Sequence, residues 1–469
     1  MSSMVQQIIT EMVTAFGKSA LSLLEGEQDF AHLVCETQVN MNKSLCQLLG
    51  WTLEEADRNI TASQFRQQRY SIKAIRERRL DTRAGTVEFK RHYFEDKQTG
   101  EKVFLLDEFV GIEKGARLSL DLKASLLEDA AMMSYRQAAK HNGGQATQSA
   151  STVMHVVHKQ GKVITALDQL DPATRPVPPV LFVEADEDHV PHQDGTNHFL
   201  KIVYVHEGYS HLGHHKFGLK HPFYITGEYP GPEGTDEMWR TVMDCIERQY
   251  NGLPKRFFLA GDGAGWIKTG ANFLPNCTLV YDKFHLKKVC KQAAVGVAGN
   301  LGETLMHWAL AGHSSFLEDY FKVRLADPQL RAGEERSLRQ ARTLIRGNWK
   351  QIKANNDSDF HGCSAEGHVS HILSERFSSR PMGWSQAGTD SLSQTRVFVM
   401  KDGKVLEKLE ANAKRIGKAK LALRIDTRIK RRFSDQTAKY AAVAAAEFVQ
   451  QASGRRRSWQ HGITHDWAL

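Results

Sequence analysis

The sequence predicts an α/β protein in which a mixed β-sheet is interrupted by an all-α insertion. Three observations lead to this prediction. Apolar segments that end in acidic or turn residues recur through residues 176–285, residues 286–360 have helical periodicity, and a basic segment follows residue 400. The chain of 469 residues is longer than a single hydrophobic core supports, so we expect several domains.

Residues 1–116 are predicted to form an N-terminal helical region that contains a β-hairpin. Residues 1–80 look helical and end in the basic run "RERRLDTR". Within residues 86–111 the segment "TVEFKRHYFE" alternates in polarity, "DKQTGE" makes a turn, and "KVFLL" returns as the second strand.

The composition indicates a cytoplasmic protein without a membrane partner. The first thirty residues carry Glu11 and lack a basic start, so they do not resemble a signal peptide. No stretch approaches roughly eighteen uninterrupted apolar residues, the length that a membrane-spanning helix needs. The six cysteines form no CxxC pair, which is typical of a reducing compartment and argues against a zinc ribbon.

Residues 117–170 are predicted to form a helix-turn-helix module. A helix containing Ala-Ala and Met-Met pairs runs into "HNGG" (141–144), and a second helix follows with an apolar stripe of valines. Five polar residues would point outward from this second helix and read DNA: Gln148, Ser149, Ser151, Thr152 and His155. Two packed helices also occur for other reasons, so a purely structural pair is the alternative interpretation.

The C-terminal segment, residues 401–469, is predicted to be a basic helical tail. It contains 16 lysines and arginines against 7 acidic residues, a net charge of +9 in a chain whose total is +8. Clustered basic residues such as Lys430, Arg431 and Arg432 suit a phosphate backbone, because they release counterions from nucleic acid. The alternative is a solvated basic helix that binds nothing.

A sheet is predicted to begin after the proline-rich linker "LDPATRPVPP" (170–179). Three successive strands are followed by a helix, a strand, a helix-like link and a strand; the segments are 180–190, 198–208, 223–229, 236–250, 256–263 and 277–285. This is the order of an RNase H-like sheet. Residues 176–285 would form the first part of this domain and residues 361–400 the final part.

Acidic residues follow two strands of the predicted sheet. Asp186 and Asp188 share one face at the end of the first strand, and Asp262 follows a later strand between two glycines. Ligands gather at the carboxyl ends of strands, where carboxylates can hold Mg²⁺. A third acid would come from residues 363–385, with Glu366 at a helix start and Glu375 over two turns later. The alternatives are a plain Asp-Gly turn at Asp262 and Asp188 in place of Asp186.

Long, ordered segments make the chain similar to a known family. "LFVEADEDHV", "VYVHEG", "FFLAGDGAGWIKTGANFLPNCTLVYDKFHLKK" and "SAEGHVSHILSERFSSRPMGWS" together resemble the ISLre-type bacterial insertion-sequence transposases. This group has a DDE catalytic triad on an RNase H-like fold and is distantly similar to Mutator-like transposases. By position, the triad and its metal ligands would be Asp186, Asp262 and Glu366. Residues 286–360 would be the helical insertion before the third acid, as in Mutator-like relatives.

The resemblance implies a DNA transposase. The chain would bind the terminal inverted repeats of an insertion sequence, cleave each end with two Mg²⁺ (or Mn²⁺) ions per active site, and join the freed 3′-hydroxyl to target DNA. Synapsis of two ends implies a homodimer or a higher oligomer, and a protein that acts on DNA in this way would be nucleoid-associated. The alternatives are a non-catalytic or domesticated DNA-binding protein, and a nuclease that cuts without joining.

Further residues near the predicted acids suggest supporting roles. Asp282 and His285 would orient the site or bind the metal or DNA, although Asp282 could simply cap the following helix. Five basic residues would contact phosphates: Lys268, Lys287, Lys288, Arg376 and Arg380. Trp384 would stack on a base or lie buried. The histidines of "HEGYSHLGHHK" (206–216) have only loose metal-ligand spacing, so zinc is not favoured there.

Overall fold

A computed structural model describes residues 2–142, 148–213, 216–297, 299–380 and 382–417. The chain divides into two compact units, one holding the residues up to Ser119 and the other spanning Leu120–Asn412. Within the described residues, no helix combines the length and the apolar character that crossing a bilayer requires.

The first unit packs helices against a three-stranded antiparallel sheet in the order β1-β2-β3. Its elements are α1 (Ser2–Leu24), α2 (Phe30–Ala62), α3 (Gln64–Arg69), β1 (Tyr70–Thr82), β2 (Gly85–Asp96), β3 (Lys102–Val103) and α4 (Leu105–Val110). The Asp29 carboxylate caps α2 by accepting from the His32 N–H, and the Ser63 hydroxyl caps α3. Phe89 and Phe94 of β2 are buried in the core.

Two details of this unit differ from the prediction. Residues 70–80 were expected to be helical but belong to β1, which pairs with β2 from Tyr70↔Asp96 to Thr82↔Gly85. The predicted return strand "KVFLL" is a strand only at Lys102–Val103, because Leu105 and Leu106 begin α4 and lie in the core. A short apolar run suits either a strand or a buried helix, and here the core selects the helix.

The second unit contains a mixed five-stranded sheet. Its strands, together with the two of a separate hairpin (β6 and β7), are β4 (Val180–Pro191), β5 (Asn197–His206), β6 (Tyr209–Gly213), β7 (Lys216–Leu219), β8 (Phe223–Gly227), β9 (Arg256–Gly261) and β10 (Cys277–Tyr281). The sheet order is β10-β9-β4-β5-β8. Strand β5 runs antiparallel to both β4 and β8, and β9 runs parallel to both β4 and β10. The predicted α/β class with a mixed sheet is therefore confirmed.

Fourteen helices complete the described part of the second unit and its C-terminal end. They are α5 (Leu120–Met132), α6 (Tyr135–His141), α7 (Ala150–Gln160), α8 (Gly231–Gln249), α9 (Gly265–Thr269), α10 (Lys283–Ala293), α11 (Leu301–Ala311), α12 (Ser314–Leu325), α13 (Ala332–Gly347), α14 (Trp349–Lys353), α15 (Ala365–His368), α16 (Glu375–Phe377), α17 (Gln386–Met400) and α18 (Val405–Gly417). A π-helical turn, Val369–Ser374, joins α15 to α16.

The two faces of β4 have different roles. Leu181, Val183 and Ala185 point to one face, where they pack with Trp239 and Val242 of α8 in an apolar core. The alternate residues point to the opposite face. That second face carries the buried carboxylates of Glu184 and Asp186 next to an apolar cluster around Phe182.

Residues 286–360 are helical, as predicted, and have a core of their own. Leu305 and Phe321 pack with Leu338 and Ile345 in a cluster that includes Tyr281 of β10 and is distinct from the core between the sheet and α8. Apolar contacts among these helices therefore stabilise the segment. It lies between β10 and α15 in the chain.

Helices α6 and α7 lie where the helix-turn-helix module was predicted. The stripe of Val153, Val156 and Val157 is buried, as expected, and the Ser149 hydroxyl caps α7 by accepting from the Thr152 N–H. Helix α7 packs against α5 and α17, in the same compact unit as the sheet. The turn at 143–147 lies outside the described residues, and so does the tail from residue 418 with Lys430, Arg431 and Arg432.

Candidate metal centre

The pairing of β4 with β9 brings two of the predicted acids to the same level of the sheet. The parallel pairing ends at Glu184↔Ala260, and Asp186 and Asp262 each lie two residues further along their strands. Asp186 was predicted at the end of its strand, and this is wrong, because β4 continues to Pro191 by pairing with β5. Asp262 directly follows β9, and its carboxylate accepts from the Ala264 N–H at 2.8 Å.

The third predicted acid lies beside the first. Side-chain ligand atoms of Asp186, His285 and Glu366 all lie within 4.8 Å of one another, an arrangement that could hold a metal ion. Glu366 is exposed in the first turn of α15, and His285 belongs to α10. Three segments that are far apart in sequence thus converge on one edge of the sheet.

The electrostatics of the cluster favour a cation. Asp186 is 5% exposed, and burial raises the pKa of its carboxyl to about 7. A hydrogen bond from the Glu187 N–H and the nearby His285 lower that pKa, whereas the charges of Asp262 and Glu366 raise it. Carboxylates that repel one another at a strand end are stabilised by a divalent ion. Oxygen ligands of this kind fit Mg²⁺ or Mn²⁺.

Asp282 supports the cluster from behind. Its carboxylate caps α10 by accepting from the Phe284 N–H at 3.2 Å, and its other oxygen lies 3.0 Å from Nδ1 of His285. This contact raises the pKa of His285 and fixes the orientation of its ring. The helix cap considered for Asp282 is therefore present, and Asp282 contacts His285 as well.

Asp188 faces the same side of β4 but has a different partner. Its carboxylate accepts a hydrogen bond from the Ser378 hydroxyl at 2.7 Å. The group of ligand atoms that meets at Asp186 does not include Asp188. The geometry therefore favours Asp186 over Asp188 as the metal-facing acid.

Glu184, which the sequence reasoning missed, anchors the segment that carries Glu366. This carboxylate is 1% exposed and accepts hydrogen bonds from the Ser364 N–H at 2.6 Å and from the side chains of Tyr204 and His206. Burial raises its pKa, but these hydrogen bonds outweigh burial and lower the pKa below its ordinary value. The period-two spacing of Glu184 and Asp186 in "EADED" was the available signal for a shared face.

The glycines on either side of Asp262 are required by contacts within the protein. A Cβ on Gly261 would lie 2.7 Å from the Ala185 carbonyl oxygen, so this glycine lets β9 and β4 pack closely. Gly263 has a φ of 83°, and a Cβ there would lie 2.8 Å from Oδ1 of Asn348. Protein groups already fill both positions.

The predicted phosphate-binding residues fall into two groups. Lys287, Lys288 and Arg380 are exposed, and Lys268 is half-buried. Arg376 does not fit the prediction, because it is only 4% exposed and its Nε donates to the Ala130 carbonyl at 2.9 Å.

Arg376 and Trp384 pack together in the interior. The guanidinium carbon of Arg376 lies 4.8 Å from the centre of the Trp384 ring, and burial lowers the pKa of this arginine to about 10. Trp384 is buried as well, and its indole N–H donates to the Phe377 carbonyl at 3.0 Å. Both residues therefore stabilise the fold around α16 instead of presenting themselves to DNA.

Comparison with known proteins places this architecture in one family. A family model described as "Uncharacterised protein family (UPF0236)" matches residues 24–415, which include all three acids and the helical insertion. The chain belongs to the UPF0236 family. The match covers most of both compact units, so the chain matches the family along most of its length and not in one segment only.

Similar UPF0236 proteins occur in Caldanaerobacter subterraneus subsp. tengcongensis. UPF0236 protein TTE0610/TTE0881/TTE1053/TTE2432 is 30% identical over 405 residues, covering 85% of this chain and 82% of the relative. A second UPF0236 protein, whose name joins eleven locus labels from TTE0033 to TTE2212, is 28% identical over 390 residues, covering 82% and 81%.

Proposed function

We propose that this UPF0236 protein is a DDE transposase of a bacterial insertion sequence. The observation that carries the proposal is the convergence of Asp186 and Glu366, with His285, beside Asp262 at one edge of the sheet. Carboxylates in this arrangement hold the divalent ions that phosphoryl transfer to water or to a 3′-hydroxyl requires.

The sheet supports an RNase H-like interpretation. Three antiparallel strands, β4, β5 and β8, are followed by α8 and by β9 and β10, which run parallel to β4. In such a sheet the acids on β4 and after β9 are neighbours, and a helix packed at the same edge supplies the third. The helices from α10 to α14 form the insertion between the second and the third acid.

The names of the relatives support a mobile element. Two UPF0236 proteins of one bacterium carry names that join four and eleven locus labels. A sequence found at many loci of one genome is the expected outcome of repeated transposition. A host nuclease would be expected at one locus.

Each side chain of the centre has a role in the proposed reaction. Asp186, Asp262 and Glu366 would hold two Mg²⁺ or Mn²⁺ ions, which when bound activate the attacking oxygen and stabilise the leaving oxygen. Asp282 keeps His285 oriented toward the cluster. Glu184 fixes the backbone two residues before Glu366.

Double-stranded DNA is the proposed partner. Ser151 and His155 lie exposed one turn apart on α7 and would contact base edges, while Lys287, Lys288 and Arg380 would contact phosphates. Two element ends must be held together for strand transfer, so at least a homodimer is expected in the synaptic complex.

The proposal is tested with purified full-length protein and labelled DNA from either side of its gene. With Mg²⁺ we expect cleavage at the element ends and a joined product with target DNA. Asp262→Asn should bind the ends normally and lose cleavage by at least about 100-fold, because metal coordination weakens. Asp319→Asn, an exposed acid of α12, is the matched control and should cleave normally.

Three outcomes would contradict the proposal. Wild-type protein that binds the ends but never cuts them would be a DNA-binding protein without activity. Cleavage without a joined product would indicate a nuclease. Cleavage by Asp262→Asn at the wild-type rate would show that the metal centre lies elsewhere.

A further inference from the structure

A second group of metal-ligating side chains lies at the far end of β4. His192 directly follows β4, His198 belongs to β5, and Glu228 follows β8. Ligand atoms of these three residues all lie within 4.8 Å of one another. His192 is six residues beyond Asp186, roughly 20 Å along an extended strand, so this group is separate from the acid cluster.

The two imidazoles converge on one carboxylate. Nε2 of His192 lies 2.9 Å from Oε1 of Glu228, and Nδ1 of His198 lies 2.9 Å from Oε2. The two rings are stacked, with centroids 3.7 Å apart and an angle of 8° between their planes. Nitrogen and oxygen ligands around a tetrahedral zinc ion are about 3.3 Å apart, so a small outward movement would make room for the ion.

A hydrogen-bonded cluster without metal does not account for His192. This side chain is 8% exposed, and its Nε2 atom has no hydrogen bond of acceptable geometry, although Glu228 is 2.9 Å away. A buried imidazole nitrogen without a hydrogen bond destabilises the folded state. A cation between this nitrogen and the carboxylate would satisfy both.

Neighbouring residues contact the side chains of His198 and Glu228, as outer partners contact the ligands in metal sites. Nε2 of His198 lies 3.5 Å from the Asp194 carboxylate, so this ring is flanked by a carboxylate on each side. The Thr389 hydroxyl of α17 donates to Oε1 of Glu228. Metal-ligating histidines and carboxylates commonly have such outer partners, which fix their orientation.

We propose that His192, His198 and Glu228 form a zinc site that joins the β4–β5 hairpin to the end of β8. Two imidazoles and one carboxylate suit Zn²⁺, with a fourth position for water. This inference does not depend on the proposed transposase activity. The histidines of 206–216, for which zinc was considered from spacing alone, play no part in it.

Zinc binding to the full-length protein tests the site. Chelator-treated protein is dialysed against Zn²⁺ in excess Mg²⁺, and bound zinc is measured by mass spectrometry. We expect one zinc per chain in the wild type, in Asp262→Asn and in Glu366→Gln. Glu228→Gln and His198→Gln should each lower zinc affinity by at least about 10-fold, because each removes a ligand.

His189→Ala is the matched control, since His189 is an exposed histidine of β4, three residues before His192, and it should retain the zinc. His198 is only half-buried, so His198→Gln should fold even if Glu228→Gln does not, which circular dichroism will report. Co²⁺ in place of Zn²⁺ should give visible absorption in the wild type that His198→Gln loses.

Any of three results would overturn the site. The first is that the wild-type protein takes up no zinc. Zinc could persist in both Glu228→Gln and His198→Gln, which would locate it elsewhere, for example at residues 206–216. Zinc could disappear in Asp262→Asn, which would assign it to the acid cluster.

Discussion

Glu184 differs from the other acids on its face of β4 because protein donors already satisfy it. Tyr204, His206 and Ser364 all donate to its carboxylate, and it is nearly inaccessible to solvent. A carboxylate held in this way does not need a metal ion. Its effect on the centre is indirect, through the position of Ser364 and hence of Glu366.

Replacing Glu184 should therefore affect both stability and cleavage. Glu184→Gln puts an amide NH₂ where an oxygen now accepts hydrogen bonds, and we expect a loss of about 2–4 kcal/mol in the free energy of unfolding. Urea denaturation measures this loss. Cleavage should fall much more than DNA binding, because Glu366 is displaced.

Glu207→Gln is the control for Glu184→Gln. Glu207 accepts from Arg175 and Tyr250, so its replacement should also destabilise the protein, but it should leave the cleavage rate of folded protein unchanged. Equal losses of cleavage in the two variants would mean that Glu184 has only a general structural role.

Replacing Asp186 and replacing Asp188 are expected to lower the cleavage rate to different extents. Asp186→Asn should abolish cleavage, because Asp186 shares the ligand cluster with Glu366. Asp188→Asn should lower it only modestly, since asparagine keeps an oxygen that can accept from the Ser378 hydroxyl. Cleavage rates at saturating Mg²⁺ make the comparison. The reverse order would move the metal-facing acid two residues along β4.

At the scale of elements, the sequence predicts best where the apolar period is clear. The buried faces of α7 and α8 follow from their valines and from residues such as Met238. Strand β1 was predicted as helix because its apolar and charged residues do not alternate, and in the structure its Ile72 and Ile75 are exposed. Its strand form is set by pairing with β2, a contact that no local pattern reveals.

The candidate site was predictable in part for a related reason. Asp262 and Glu366 stand out as single acids at the ends of elements. Glu184 and the group around His192 do not, because their partners lie on other strands. Only the pairing of β4 with β5 and of β5 with β8 brings them together.

Helix α7 offers a test of sequence reading that leaves its cap intact. Ser151 and His155 are exposed, whereas Ser149 and Thr152 form the cap. Ser151→Ala with His155→Ala should lower discrimination between element ends and random duplex by about 10-fold or more, since each base contact contributes on the order of 1 kcal/mol or more. Binding titrations with both duplexes measure it, and Thr241→Ala on α8 is the control. Unchanged discrimination would remove α7 as the reading helix.

For the whole molecule, the distribution of charge matters more than its sum. Residues 418–469 contain 11 lysines and arginines against 4 acidic residues, a net charge of +7, so the rest of the chain is close to neutral. By contrast, α18 belongs to the packed structure, because Val405 and Leu409 are buried. A truncation that tests the positive charge of the C-terminal segment should therefore begin after Gly417, because a truncation after Met400 would also remove α18.

Removing residues 418–469 should weaken binding to every duplex regardless of sequence. The plot of log affinity against log salt should become shallower by about 0.9 for each DNA phosphate that the truncated protein no longer neutralises. Binding is titrated at several salt concentrations against element ends and random DNA. If the truncated protein instead bound both duplexes equally well, sequence recognition would reside in the C-terminal segment.

The helical insertion has a consequence for protein synthesis. Glu366 is translated 104 residues after Asp262, and the intervening helices form their own core. At about 5–20 residues per second, a nascent chain carries the first two acids for roughly 5–20 s before the third emerges. A nascent or prematurely terminated chain that ends before Glu366 therefore lacks the third acid of the candidate metal centre, however well its first strands have folded.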